Sequence, residues 1–150
     1  MTGILIKTAE EIALMRSAGR ITAEVLAEIG RLAQPGITTS ALDGAAEKLI
    51  REKRAEPVFI GYRGYRHATC ISVNHEVVHG IPWSKTLKAG DIVSLDVGVK
   101  KDGYCGDAAA TYAIGQISGK ADKLIRTCRR ALEAAIRQAR AGNHLGDVSF

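Results

Sequence analysis

The chain has 150 residues, of which 46% are hydrophobic and 25% charged, and a net charge of +5. This is the balance of an ordinary globular protein, and it excludes the disordered class. No stretch approaches the roughly 18 apolar residues of a membrane-crossing helix, and the apolar run in "MTGILIKTAEE" is too short for a signal-peptide core.

The spacing predicts a first helix from "TAEE". The Thr8 hydroxyl can accept from the Glu11 amide while the Glu11 carboxylate reaches back to the Thr8 amide. Ile12, Met15, Ala18, Val25, Ile29 and Leu32 then recur on one face. "QPG" at 34–36 stops this helix, because proline cannot continue it and glycine suits the turn. A second helix runs from about Ser40 to Lys53, with Leu42, Ala45, Ala46, Leu49 and Ile50 on its apolar side. Residues 57–82, "PVFIGYRGYRHATCISVNHEVVHGIP", read as loop, strand at "TCISV", turn, and strand at "EVV". A strand over Ile92–Val99, a turn at "KKDG" and a return strand from Tyr104 to Ile114 form a hairpin, since Asp-Gly is a strong hairpin signal. A long amphipathic helix is expected over about 120–141. "AGNHLGDVSF" then reads as a turn and the start of another helix. The pair "PGITTSALD" and "AGNHLGDV", aligned on Gly36 and Gly142, is a faint internal echo; if real, the chain holds one repeat and the opening of a second.

The hairpin carries the chemistry. In "DIVSLDVGVKKDGYCGDAAATY", Asp91 and Asp102 fall at turns, but Asp96 and Asp107 fall inside strands. A two-residue loop at 102–103 pairs Asp96 with Ala109 and makes Asp107 its diagonal neighbour. A four-residue loop pairs the two aspartates directly. Either puts both carboxylates on one face, about 4.5–8 Å apart at Cβ, whereas a three-residue loop would separate them. Neighbouring carboxylates repel unless one is protonated, a cation side chain joins them, or a multivalent ion lies between them. The strand segments "IVSLDVGV" and "YCGDAAATY" hold no lysine or arginine, and Ser94, Gly98, Gly106, Ala108 and Ala109 leave room. Divalent metal is therefore the favoured reading, with two ions sharing the carboxylates. The competing reading is an edge hairpin whose aspartates face solvent.

Other candidates are weaker on residue type alone. His79, in "EVVHGIP", is either a satisfied structural histidine or a hydrogen-bonding group at the site. Cys105 shares a strand face with Asp107 and reads as a small buried hydrophobe rather than a thiolate ligand. Phe59, Tyr62, Tyr65, Cys70 and Trp83 cluster around the glycine-rich loop, as core or as an apolar pocket beside the carboxylates. The basic clusters, "REKR" and the arginines of the third helix, read as solvated faces, or as a loose attraction to an RNA surface such as the ribosome. Three cysteines without an export signal read as reduced thiols of a cytoplasmic protein.

"GYRGYRHATCISVNHEVVHGIP" and "LKAGDIVSLDVGVKKDGYCGDAAATYAIG" closely resemble the two N-terminal signature segments of type I bacterial methionine aminopeptidases. The similarity extends over essentially the whole chain. The resemblance implies an α+β pita-bread half-fold, an antiparallel sheet with long helices packed on one face, as a single domain. It implies a metallo-aminopeptidase that removes N-terminal methionine from peptides or nascent chains through metal-activated water. Asp96 and Asp107 match metal ligands for two divalent ions, whether Co, Mn, Fe or Zn. His79 matches a catalytic histidine that contacts the scissile amide. Phe59, Tyr62, Tyr65 and Cys70 match the methionine pocket, and Asn74 falls in a loop that can hold a monovalent cation. Arg66 stands where many members have proline. A non-catalytic pita-bread binding module is the alternative, and a prolyl-specific relative is a second enzymatic rival.

The family takes one further histidine ligand, two glutamate ligands and another substrate-contacting histidine from the second half of its fold. Those positions have no counterpart here. The expectation is therefore a fragment, a chain that pairs with a complementary C-terminal half, or a homodimer.

Overall fold

The computed structural model describes residues 3–149. Contacts divide the chain into two compact units, 1–116 and 117–150. The first unit opens with α1 (Ala9–Leu32), whose start has the full reciprocal capping box between Thr8 and Glu11. These two bonds satisfy amides that the first helical turn leaves without intrahelical partners. Ala18, Thr22, Val25 and Ile29 form its buried stripe. Ile12, Met15 and Leu32, placed on that stripe by their spacing, are partly exposed at the helix ends. After the turn at Pro35 and Gly36, α2 (Thr39–Glu52) is capped by the Thr38 hydroxyl and buries Leu42, Ala46 and Ile50.

The sheet consists of β1 (Glu56–Pro57), β2 (Thr69–Val73), β3 (Ile92–Lys101) and β4 (Tyr104–Ala113). β3 is its central strand. β1 and β2 pair antiparallel with successive segments of β3, and β4 pairs antiparallel along its whole length. A two-residue turn joins β3 to β4, with Asp102 and Gly103 at φ of 49° and 84°. This is the primed turn that matches the twist of the strands and favours Asp-Gly.

The alternation of β3 builds the core. Val93, Leu95, Val97 and Val99 are buried together with Val25, Ile29, Leu42, Ile50 and Ile71. α1 lies against β3 and β4, and α2 against β1 and β2, so both helices cover one face. Two glycines permit the close approach of α1. A Cβ on Gly106 would come within 2.5 Å of the Thr22 hydroxyl, and one on Gly30 within 2.3 Å of the Tyr112 ring. The Tyr112 hydroxyl donates to the Leu26 carbonyl at 3.1 Å, tying the end of β4 to α1. The opposite face, with Ser94, Asp96 and Gly98 on β3 and Cys105, Asp107, Ala109 and Thr111 on β4, is left open.

Segment 76–78 is not the strand its valines suggest. Val77 and Val78 are 84% and 65% exposed. The chain instead turns back onto the edge of β2. The Ile71 amide donates to the Gly80 carbonyl at 2.8 Å, and the Gly80 amide donates to the Ser72 hydroxyl at 3.0 Å. These bonds replace a strand ladder and leave the valine side chains in solvent.

The second unit comprises α3 (Gly119–Gln138), capped by the Ser118 hydroxyl, and the short α4 (Leu145–Ser149). No residue of α3 or α4 is buried. The turn between them repeats the α1–α2 turn in detail. The residues after the two long helices, Ala33 and Ala139, have φ/ψ of −71°/81° and −74°/71°. Gln34 and Arg140 each donate an amide hydrogen bond two residues back at 2.8 Å. Gly36 and Gly142 take φ of 97° and 92°. Among the described residues, no helix is long and apolar enough to cross a membrane.

Candidate functional site

The two-residue turn selects the diagonal arrangement of the aspartates. Asp96 pairs with Ala109, and Asp107 pairs with Gly98. Diagonal neighbours on one face stand roughly 7–8 Å apart, somewhat less at Cβ, so the carboxylates can converge on a common point. Gly98 contributes no side chain between them, and the Phe59 ring lies over it: a Cβ on Gly98 would come within 2.6 Å of that ring. On the other side of β3, Cys70 is the direct cross-strand partner of Asp96. Cys70, Asp96 and Asp107 thus lie across three adjacent strands on the open face.

Residues 58–68 fold over this face as a wall. Gly61, Arg63 and Gly64 all take positive φ, at 86°, 50° and 84°, which turns the loop tightly. The Gly61 amide donates to the Tyr65 carbonyl at 2.8 Å and closes the loop on itself. The Tyr65 hydroxyl donates to the Thr69 carbonyl at 2.9 Å, where β2 begins. His79 approaches from the segment docked along β2, with a strained φ of 58°. A non-glycine residue in this region needs support from its surroundings; here the bonds to Ile71 and Ser72 from adjacent Gly80 provide it.

The result is an open cleft of about 560 Å³ lined by Phe59, Tyr62, Tyr65, Cys70, His79, Asp96 and Asp107, with Arg63, Gly64 and Ile81. Of the site candidates read from sequence, Phe59, Tyr62, Tyr65, Cys70, His79, Asp96 and Asp107 meet in one place, and Asn74, Cys105 and Trp83 do not line it. Asn74, with φ of 58°, lies at the far end of β2. Its amide nitrogen donates to Asp91 at 2.8 Å, and its amide oxygen accepts from the Ile92 amide at 3.0 Å. Two sequence readings change. Cys105 shares the face of Asp107 but is exposed, because that face of β4 is uncovered. Trp83 is not in the cleft wall: it is 58% exposed, and its backbone bonds to Thr39 and Ser40 at the start of α2. Arg63 and Ile81 were missed. Arg63 stacks over the Tyr62 ring at 5.5 Å, a contact that depends on the positive-φ turn and leaves no periodic signal.

The electrostatics centre on Asp96. Its Oδ1 is buried and has no hydrogen-bond partner among the described residues. Burial is the main cause that pushes its carboxyl above the ordinary range; the neighbouring Asp107 adds to this and His79 opposes it. Burial likewise pushes up the Tyr65 hydroxyl and the Cys70 thiol. Neither lysine nor arginine forms an ion pair with Asp96 or Asp107 among the described residues. A buried carboxylate oxygen without a donor is costly unless the group takes up a proton or a cation meets it. The donor set fits a hard or borderline divalent ion. It is only part of a coordination sphere, because no three His, Cys, Asp or Glu side chains come together as a metal-holding group among the described residues.

Residues 13–150 match the sequence profile described as Metallopeptidase family M24. The chain belongs to this family. It is 44% identical over 146 residues to methionine aminopeptidase 1 of Bacillus subtilis, an alignment covering 97% of this chain and 59% of that relative. Methionine aminopeptidase from Thermotoga maritima superimposes with a TM-score of 0.94 at 44% identity, over 97% of this chain and 59% of that one. An Xaa-Pro dipeptidase from Bacillus anthracis matches with a TM-score of 0.76 at 24% identity, over 88% of this chain and 36% of that one, which shows the shared fold. This M24 chain thus has the α+β pita-bread architecture expected of it and spans about three-fifths of the length of the curated relatives it matches.

Proposed function

We propose that this chain contributes the N-terminal part of a methionine aminopeptidase centre, which removes methionine from the start of peptides or nascent chains. The observation that carries the reading is the buried Asp96 Oδ1, without a hydrogen-bond partner among the described residues, on a side chain that lines the same cleft as Asp107. Asp96 and Asp107 would hold a pair of divalent ions, drawn from Co, Mn, Fe and Zn. When bound there, such ions would supply hydroxide at neutral pH by bringing the pKa of coordinated water down to roughly 7.

The other side chains have positioning and binding roles. His79 donates a hydrogen bond to the scissile amide or to the oxygen that gains charge, an interaction stronger in the transition state than in the ground state. Phe59, Tyr62, Tyr65 and Cys70 take the unbranched methionine side chain and exclude water from it. Asn74 would contribute to a monovalent-cation loop at the end of β2. The remaining metal ligands and the general base would come from a complementary C-terminal half or from a second copy of this chain. The three free thiols suit the cytoplasm. The exposed arginines of α3 suit loose contact with a ribosomal surface.

Calorimetric titration with Mn²⁺ or Co²⁺ tests this reading. The parent chain should bind the ion, and Asp96→Asn and Asp107→Asn should each weaken binding by about tenfold or more. Equal affinity in the parent and both variants would sink the metal assignment.

A further inference from the structure

We infer that Asp43 is a positioning residue, latching the aromatic wall of the cleft to α2 through Thr69 and His67. The inference rests on the proposed use of that wall as a side-chain pocket. Asp43 lies in the second turn of α2 on its buried side and is only 9% exposed. One carboxylate oxygen accepts from the Thr69 amide at 2.9 Å and from the Thr69 hydroxyl at 2.7 Å. The other meets His67 Nδ1 at 3.2 Å. All three contacts therefore go to one short stretch, the end of the 58–68 loop and the start of β2. Core packing of α2 alone does not require a carboxylate at this position.

The stretch it holds carries the cleft. The loop is attached at its start by the Val58 amide, which donates to the Gly98 carbonyl at 3.0 Å. Thr69 fixes its end. The Thr69 carbonyl accepts from the Tyr65 hydroxyl, and the ring of Tyr65 meets that of His67 edge-on at 5.6 Å. Both contacts bind the wall to residues that Asp43 restrains. Between the two attachments the loop has its three positive-φ residues, a conformation that persists only when its surroundings over-determine it. Cys70 follows Thr69 directly and stands opposite Asp96. A displaced Thr69 would therefore move both the aromatic wall and the residue beside the carboxylates. None of Asp43, His67 or Thr69 lines the cleft itself, so their effect on it is through Tyr65 and Cys70.

The test uses the full chain with Cys105→Ser and Cys128→Ser, leaving Cys70 as its only thiol. Alkylation of Cys70 by iodoacetamide is followed by intact mass, together with amide hydrogen exchange. Asp43→Ala deletes all three acceptor contacts while placing a better helix former in α2. It should raise the Cys70 alkylation rate about tenfold and speed exchange across 59–68, with β3 protection unchanged. Thr69→Val, which removes only the hydroxyl donor, should raise the rate about threefold, and Thr69→Ser should keep it at the parent value. An unchanged alkylation rate in Asp43→Ala, or β3 losing protection along with the loop, would overturn the latch. Should Asp43→Ala not fold, the Thr69 pair decides: equal rates for Val and Ser overturn the proposal. No metal or peptide enters the assay, so a failed metal titration and a failed latch are separate results.

Discussion

The α1–α2 and α3–α4 regions are the same local structure in two different circumstances. Each has a long helix started by a hydroxyl cap, an alanine that leaves helical geometry, a positive-φ glycine and a new helix three residues later. Yet α1 buries Ala18, Val25 and Ile29, whereas Leu124, Leu132 and Ile136 of α3 are 55%, 59% and 63% exposed. Caps and turns are made by neighbours in sequence and form wherever the residues occur. Burial needs a second surface, and in the first region β3 and β4 provide it. The two regions also differ in their ion pairs. Among the described residues, that of α3 joins residues four apart, Asp122 to Arg126, and the His144 amide likewise donates locally, to Asp147. The first unit adds pairs that connect different elements, such as Lys53 with Glu24.

The largest effect should come from matched truncations. Ile29→Ala removes a fully buried side chain and should cost about 3–4 kcal/mol in denaturant unfolding. Ile136→Ala should stay within about 0.5 kcal/mol. Equal costs would mean that α3 is covered in solution as α1 is. A smaller effect should follow from the turn glycines. A Cβ on Gly36 or Gly142 meets no atom within 4 Å, so Gly→Ala at either tests backbone conformation alone. Each should cost about 1–2 kcal/mol. Gly36→Ala should lower the main melting transition, and Gly142→Ala should instead speed amide exchange near 139–149. The reverse assignment would break the comparison.

The smallest effect concerns pH. Glu76 is held below the ordinary glutamate range chiefly by the Val73 amide, with Lys85 contributing and burial opposing. A depressed folded value means that this stability is present above the unfolded value of 4.5 and is lost as pH falls through the lower folded value. Glu76→Gln should therefore lower Tm by only about 2 °C at pH 7, because solvent screens this partly exposed carboxylate. The difference from the parent should close as pH falls below 4.5. A difference that persists into acid would assign the loss to packing rather than charge.

The candidate site shows the same division as the helices. Asp96 and Asp107 were legible because an Asp-Gly turn sets the hairpin register, and register decides which side chains share a face. The choice between direct and diagonal placement lay in whether the turn used two residues or four, and the paired strands decided it in favour of two. Valines 77 and 78 misled because β-branched residues favour strands, while the Gly80 backbone docks on β2 without a ladder. Arg63 left no pattern, since its place depends on successive positive-φ turns. Asp43 could not be distinguished by residue type from an ordinary acidic group on a helix; only the fold brings Thr69 and His67 to it across the intervening chain.

By itself, the sequence determined the parts of this M24 chain whose causes lie within a few residues: helix caps, the glycine turns, the hairpin and the shared face of its two aspartates. Tertiary structure alone decided which apolar stripe is buried, where the loop wall stands over Gly98, and that Asp96 Oδ1 is removed from water without a donor among the described residues. Those outcomes depend on surfaces brought together from distant positions, and a carboxylate is desolvated by its surroundings rather than by its own chemistry.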